Sequence, residues 1–341
     1  MRPSFFHHLH PPTIPAAQAR WRYTLGAGGV AVFLCLVLIL TGAVELFYYV
    51  PEPSRAALSV QTITYLVPFG GFIRNMHYWA AQALVVVTIL HLLRVVFTGA
   101  YARPRSFNYL LGLGLLVLCL FLDFTGYVLR WDEGIRWALV AGTNLLRSIP
   151  LLGNVLYGML VGGSQPGPAT LVRFYAWHIF GLTIPLVLIG IWHIFRVRRD
   201  GGIALPPPEY RQDHARISRN ELVRREILAS LLCAALLVIV SALFPAPIDQ
   251  PISPDGMSAA DGQAPWFFLW VQQLLRFKNP FIWGVALPLF VLLWLALLPY
   301  ALPVARTSEL GRWFPSGNRL ASISVALLGS AILILTLLAL R

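Results

Sequence analysis

The sequence predicts an all-α integral membrane protein with seven transmembrane helices, a four-helix bundle followed by three C-terminal helices. Three observations carry this expectation. Hydrophobic residues make up 57% of the 341 and charged residues only 12%, with a mean hydropathy of +0.70, so the main solvent of the chain is lipid. Seven apolar runs reach the length of about 20 residues needed to cross a hydrocarbon core of about 30 Å. Lys and Arg collect in alternate loops, as they do when charge sets membrane orientation.

Taken in order, the runs lie near 25–50, 76–99, 109–130, 174–197, 226–245, 281–304 and 320–340. The leading MRPSFFHHLHPPTIPAAQ has no basic segment joined to an apolar stretch and cleavage site, so no cleaved signal is expected. The stretch 137–160 is apolar but interrupted by Gly142, Asn144, Arg147 and Pro150, which predicts short amphipathic helices at one surface. After the fourth run comes the polar, proline-containing GGIALPPPEYRQDHARISRNELV, across which few contacts are expected. It divides the chain into a four-helix module over 1–200, a linker over 201–225 and a three-helix module over 226–341. A second connector, PAPIDQPISPDGMSAADGQA at 245–264, joins the fifth and sixth runs.

The net charge of +12 does not point to nucleic acid, because the positive residues sort by loop. Segments 1–23, 94–108, 196–225 and 303–319 carry 3, 3, 8 and 3 Lys or Arg, against 9 in all the others. The expected orientation places the N-terminus in the cytoplasm and the C-terminus outside. The cluster RVRRD at 196–200 either sets that orientation or contacts an anionic group at that surface. Cys35, Cys119 and Cys233 fall inside runs without a C-x-x-C or C-x-x-C-H pattern, so neither disulfides nor covalent haem is implied.

His7, His8, His10 and His214 sit in polar segments, whereas His77, His91, His178 and His193 sit inside the second and fourth runs. Ionisable groups at membrane depth are costly and face the bundle interior for a reason. Fourteen positions separate His77 from His91, which returns the side chain to within about 40° and about 21 Å along the helix. Fifteen separate His178 from His193, within about 60° of whole turns, and Pro185 between them can absorb part of that angle as a kink. Two such ladders can clamp two flat metal macrocycles, His77 with His178 near one surface and His91 with His193 near the other. An iron with both axial positions filled transfers electrons and binds no substrate. Zinc would want its ligands clustered together. Isolated buried histidines bonded to neighbours would leave the matched spacing unexplained.

Flanking helices need small residues where a macrocycle stands. Gly28 and Gly42 in the first run are fourteen apart, as are Gly112 and Gly126 in the third. Opposite helix directions put Gly28 and Gly112 near the inner pair, Gly42 and Gly126 near the outer. Such residues also serve ordinary close helix packing. Arg74, Arg94 and Arg173 lie at run ends, where guanidinium could pair with the carboxylates of a macrocycle or simply snorkel to the interface.

RNMHYWAAQALVVVTILHLLRVVFTG, GYVLRWDEG and TLVRFYAWHIF resemble the haem-binding helices and outer-surface segment of cytochrome b of the cytochrome bc family, and the likeness covers nearly the whole chain. The fourteen and fifteen spacings resemble the chloroplast-type branch, whose last three helices are usually a separate subunit; here they are fused. The resemblance implies two non-covalent b-type haems in an energy-transducing membrane, such as a bacterial plasma membrane. It implies a quinone site at each surface, with the C-terminal module contributing to the outer one. Outside quinol oxidation would send one electron through both haems to an inside quinone. The other would leave through a Rieske iron–sulfur protein and a c-type cytochrome, in a homodimeric complex embedded in membrane lipids. Arg198 resembles the inner-surface basic residue of the branch.

The sequence departs from the pattern in two places. Gly26 occupies the position of the cysteine that attaches an extra haem in the chloroplast type, so that haem is not expected. Pro265, in APWFFLWVQQLLR, stands where the family's Pro-Glu-Trp-Tyr carries its proton-accepting glutamate. The replacement base is expected to be Glu133 or Asp132 in RWDEG, then Asp123 or Glu45. Two readings follow. The first is the quinol-oxidising, electron-bifurcating subunit of a bc-type complex, using a low-potential quinone such as menaquinone. The second is a membrane anchor and haem conduit joining one quinone site to another iron–sulfur or multihaem partner.

Overall fold

The computed structural model describes residues 10–211, 213–252 and 263–341; His7, His8 and the middle of the second connector lie outside the described residues. In chain order the principal helices are α1 (Ala27–Glu45), α2 (Ala56–Tyr65), α3 (Gly70–Phe97), α4 (Ser106–Leu129), α5 (Glu133–Arg147), α6 (Gly153–Val161), α7 (Pro168–Arg199), α8 (Arg219–Leu243), α9 (Leu269–Leu274), α10 (Ile282–Ala301) and α11 (Ser316–Ala339). Seven of them, α1, α3, α4, α7, α8, α10 and α11, are long and apolar enough to cross a membrane. Leu40, Leu188, Leu231, Leu236 and Leu327 leave their side chains exposed on the outside of the bundle, where hydrocarbon is the solvent.

The cores form where helices meet. Leu34 of α1, Ala80 and Leu84 of α3, Cys119 of α4 and Leu237 of α8 make one buried cluster, so α8 packs directly on the four-helix part. Val96, Tyr101, Tyr109, Leu298, Ala321 and Val325 make another at the basic end of the bundle, tying α10 and α11 to α3 and α4. At the opposite end α5 lays Ile135 and Leu139 against Val128 of α4 and Leu171 and Phe174 of α7. The interrupted stretch 137–160 thus forms α5 and α6, neither of which is long enough to span a membrane.

Helix α8 begins at Arg219, earlier than the apolar run alone suggests, because Ser218 Oγ accepts from the Glu221 backbone N–H at 3.3 Å and caps it. The linker before it is held more firmly than its polar composition predicts. Thr13–Pro15 pairs antiparallel with Arg216–Ser218, with Ile14 opposite Ile217. Gln18 Nε2 donates to the carbonyls of Gly201 (3.2 Å) and Ile203 (2.9 Å), and the Tyr23 hydroxyl donates to the Ala204 carbonyl at 2.5 Å. Backbone polar groups seek partners, and the N-terminal segment supplies them at the same end.

Candidate functional site

Two imidazole pairs join α3 to α7. The His77 and His178 rings are 6.3 Å apart between centres with planes at 63°, and those of His91 and His193 are 6.5 Å apart at 79°. An imidazole nitrogen binds a metal at about 2.0–2.1 Å and lies about 1.1 Å from its ring centre, so two rings facing one metal have centres about 6.2–6.4 Å apart. The His77–His178 pair has that separation, and the His91–His193 pair lies just beyond it. Among the described residues no cluster of three or more His, Cys, Asp or Glu could hold a metal ion.

The fifteen-residue spacing on α7 matches the fourteen on α3 through a π-turn. Residues Trp177–Gly181 are π-helical, with the Leu182 N–H donating to the Trp177 carbonyl at 2.8 Å. Such a turn carries one extra residue, which brings His193 back into step with His91. The Thr183 hydroxyl donates to the His178 carbonyl at 2.5 Å inside this turn. The correction thus lies just before Pro185, in the π-turn that contains His178.

Hydrogen bonds at Nδ1 orient the rings. The His193 Nδ1–H donates to the Asn108 carbonyl at 3.1 Å, and that of His178 to the Leu122 carbonyl at 3.1 Å with Thr125 Oγ1 at 3.0 Å. A carbonyl can only accept, so the proton sits on Nδ1 and Nε2 keeps its lone pair for a metal. His77 Nδ1 lies 2.9 Å from Thr41 Oγ1, whose own proton goes to the Val37 carbonyl at 2.7 Å, so Thr41 accepts from the ring. His91 Nδ1 is buried without a hydrogen-bond partner. Thr41 and Thr125 escaped the sequence reading, although each directly precedes one of the outer glycines in a repeated Thr-Gly doublet.

All four glycines stand against the histidines. A Cβ at Gly42 would lie 3.0 Å from His77 Cε1, at Gly126 2.8 Å from His178, at Gly112 3.2 Å from His193 and at Gly28 3.9 Å from His91. Gly42, Gly112 and Gly126 therefore make room for the imidazole rings themselves, whereas at Gly28 a Cβ would meet the ring at ordinary contact distance.

The arginines divide. Arg94 is buried and stacks 4.3 Å over the Tyr23 ring; its Nε donates to the Tyr23 carbonyl at 3.0 Å, while one terminal nitrogen is buried without a partner. A carboxylate beside His91 would satisfy that nitrogen. Arg74 is buried and donates to the carbonyls of Ala246 (3.2 Å) and Pro247. Arg173 donates to the Gly158 carbonyl at 2.8 Å, and Arg198 is exposed at the basic end.

Of the carboxylates, Asp132 is buried and accepts from Arg130 Nε (2.9 Å), Arg130 Nη2 (2.6 Å) and the Asp249 N–H (3.0 Å). Glu133 pairs with Arg136 at 2.9 Å, and its N–H donates to the Gln250 carbonyl at 2.9 Å. Glu45 ends α1 half-buried, with Oε1 unpartnered. Asp123 accepts from Gln82 Nε2 at 3.1 and 3.0 Å, and Gln82 Oε1 accepts from the Trp266 indole at 2.7 Å. Outside the spans, Tyr49 stacks on Tyr175 at 5.7 Å, and its burial raises the hydroxyl above the ordinary tyrosine range.

The fold and the paired imidazoles define a membrane-spanning helical bundle with two stacked histidine sites. Known proteins place the fold in a family. The family described as cytochrome b(N-terminal)/b6/petB matches residues 82–251. The cytochrome b6 of Heliomicrobium gestii is 40% identical over 174 residues, 51% of this chain and 82% of that protein. The menaquinol:cytochrome c reductase cytochrome b subunit of Geobacillus thermodenitrificans is 37% identical over 177 residues, 51% of this chain and 78% of that one. A solved structure titled hyperthermophilic respiratory Complex III aligns over 93% of this chain and 91% of its own, with a TM-score of 0.74 at 20% identity, a likeness of fold. This chain belongs to the cytochrome b/b6 family.

Proposed function

We propose that the chain is the di-haem cytochrome b subunit of a quinol-oxidising bc-type complex and carries electrons across the membrane between two quinone sites. The observation that carries this reading is the pair of matched imidazole sites, 6.3 and 6.5 Å between ring centres, stacked in one bundle of this family. Bound at each pair, a non-covalent haem would supply a one-electron carrier. His77 and His178 hold the outer one, His91 and His193 the inner one. Thr41, Thr125 and the Leu122 and Asn108 carbonyls fix the rings, and Gly42, Gly112 and Gly126 keep the rings free of steric contact. Arg94 takes a carboxylate at the inner site, with Arg74 and Arg173 holding the chain around the outer one.

Quinol releases protons as well as electrons, and Glu133, half-buried beside Arg136 at the end that carries α5, is the proposed outer acceptor. Asp132, bound on one side by Arg130, shapes that segment. Arg198, exposed at the other end, meets the inner quinone. Menaquinone, named in the Geobacillus relative, is the proposed quinone, and a Rieske iron–sulfur protein with a c-type cytochrome the proposed partners. The module over 226–341 contributes Trp266 and its neighbours to the outer site.

Pro265 favours one other reading. Without the glutamate of the family at that position, the bundle could instead join one quinone site to a multihaem or different iron–sulfur partner. Purifying the intact complex decides between them. A reducible low-spin b-type spectrum with two components and a co-purifying Rieske protein supports bifurcation. Two haems without that protein support the conduit, and a colourless preparation overturns both.

A further inference from the structure

The geometry points to Asp123 as a carboxylate that takes a proton directly from the quinol, beside the position where Pro265 replaces the glutamate of the family, with Gln82 and Trp266 as its positioning residues. This assignment rests on the quinol-oxidising reading above and deepens it. Asp123 lies half-buried within α4, and among the described residues none of the ion pairs includes it. A carboxylate at membrane depth without a counter-ion is costly and points to function.

The segment that lost its glutamate is fastened to this carboxylate. Trp266 directly follows Pro265, and its indole can only donate. It therefore turns the Gln82 oxygen toward itself at 2.7 Å and the Gln82 amide nitrogen toward both Asp123 oxygens, at 3.1 and 3.0 Å. Phe268, two residues on, meets Phe124 at 5.8 Å between ring centres, next to Asp123 on α4. One amide donor leaves most of the lone pairs of the carboxylate free to accept a proton.

The chain beside Asp123 reaches the outer histidine pair. Leu122, its chain neighbour, gives its carbonyl to His178. Successive residues of α4 thus serve the electron acceptor and the proton acceptor. Among the described residues, Tyr78 on α3 and Cys119, one turn earlier on α4, are titratable groups within electrostatic reach of Asp123, and Arg130 and Arg74 act on Tyr78 in turn. His178 of α7 turns its Nδ1 to the Leu122 carbonyl.

The chemistry balances. Quinol becomes quinone by losing two electrons and two protons. One electron would pass to the iron–sulfur partner and the other to the one-electron carrier that His77 and His178 would hold. One quinol O–H bond breaks as an O–H bond forms on Asp123, the other proton passes to Glu133, and both carboxylic acids then release their protons to water.

The test uses the intact complex in native membranes, with 2,3-dimethyl-1,4-naphthoquinol as reductant. Asp123→Asn should leave the dithionite-reduced b-type spectrum intact and slow haem reduction by the naphthoquinol at least about tenfold, a positioned proton acceptor being worth about 10²–10⁴. It should also abolish a limb of the pH–rate profile that Asp123→Glu restores. An Asn variant with the wild-type rate and profile overturns the assignment while the quinol reading stands. Should Asp123→Asn lose its haem spectrum, Gln82→Leu decides: a displaced limb supports the assignment, and a rate lowered equally at every pH overturns it. A wild-type complex whose haems respond to dithionite but not to the naphthoquinol removes the quinol reading, and this assignment with it.

Discussion

A Cβ placed on Gly126 would lie 2.8 Å from His178 Cε1, closer than real Cβ atoms approach a ring, so the outer imidazole of α7 has its position only because residue 126 has no side chain. The corresponding separations at Gly42, Gly112 and Gly28 are 3.0, 3.2 and 3.9 Å. Alanine substitutions should therefore rank in that order. Gly126→Ala is expected to displace His178 and move the potential of one haem, or lose that haem, while Gly28→Ala behaves as wild type. Redox titration at the b-type absorbance checks this. Equal effects from all four changes would mean that the glycines serve helix packing in general.

The two imidazole pairs share helices but no ligands, so their loss should be separable. His77→Leu is expected to remove the outer haem alone and halve the haem content, and His91→Leu the inner one alone. The pyridine haemochrome assay on the purified complex measures this directly. Loss of both haems from either change, with the helices still folded by circular dichroism, would count against two independent sites.

What was legible in the sequence followed from scarcity. Histidines are expensive at membrane depth, so His77, His91, His178 and His193 stood out, and the glycine spacing in α1 and α4 matched theirs. The π-turn at Trp177–Gly181 was not legible, because shifting one hydrogen bond leaves no mark in composition. Nor could Arg74 be matched in advance with the Ala246 carbonyl, because nothing local reports where the chain returns after α8. The linker misled for a related reason. Its polar residues fit solvent as well as they fit the edge offered by Thr13–Pro15.

Charge predicts the orientation. The end bearing residues 94–108 and 196–225 holds most of the arginines, which predicts that it faces the cytoplasm. Alkaline phosphatase fused after Arg341 should be active and the same enzyme fused within 201–211 inactive. The reverse pattern would invert every inside and outside assignment of the quinone sites.

Alkaline stability should depend in part on Tyr101, which ties the C-terminal helices to the bundle. The Tyr101 hydroxyl donates to Asn318 Oδ1 at 2.5 Å, and Asn318 Nδ2 donates to the Val96 carbonyl at 2.6 Å, joining α3, α11 and the turn between α3 and α4. Burial pushes the Tyr101 hydroxyl up to about 12, from an ordinary value of 10.0. The folded state holds this proton more tightly than the unfolded state. Its contribution is therefore complete below pH 10 and is lost as pH rises toward 12, a change of roughly 2–3 kcal/mol at the top of that window. Tyr101→Phe should be less stable at neutral pH by about 1–3 kcal/mol, since Asn318 Oδ1 loses its donor. It should also lose less stability than wild type between pH 10 and 12. Thermal unfolding followed by circular dichroism in detergent at the two pH values checks both parts, and parallel losses in the two proteins would place the alkaline sensitivity elsewhere.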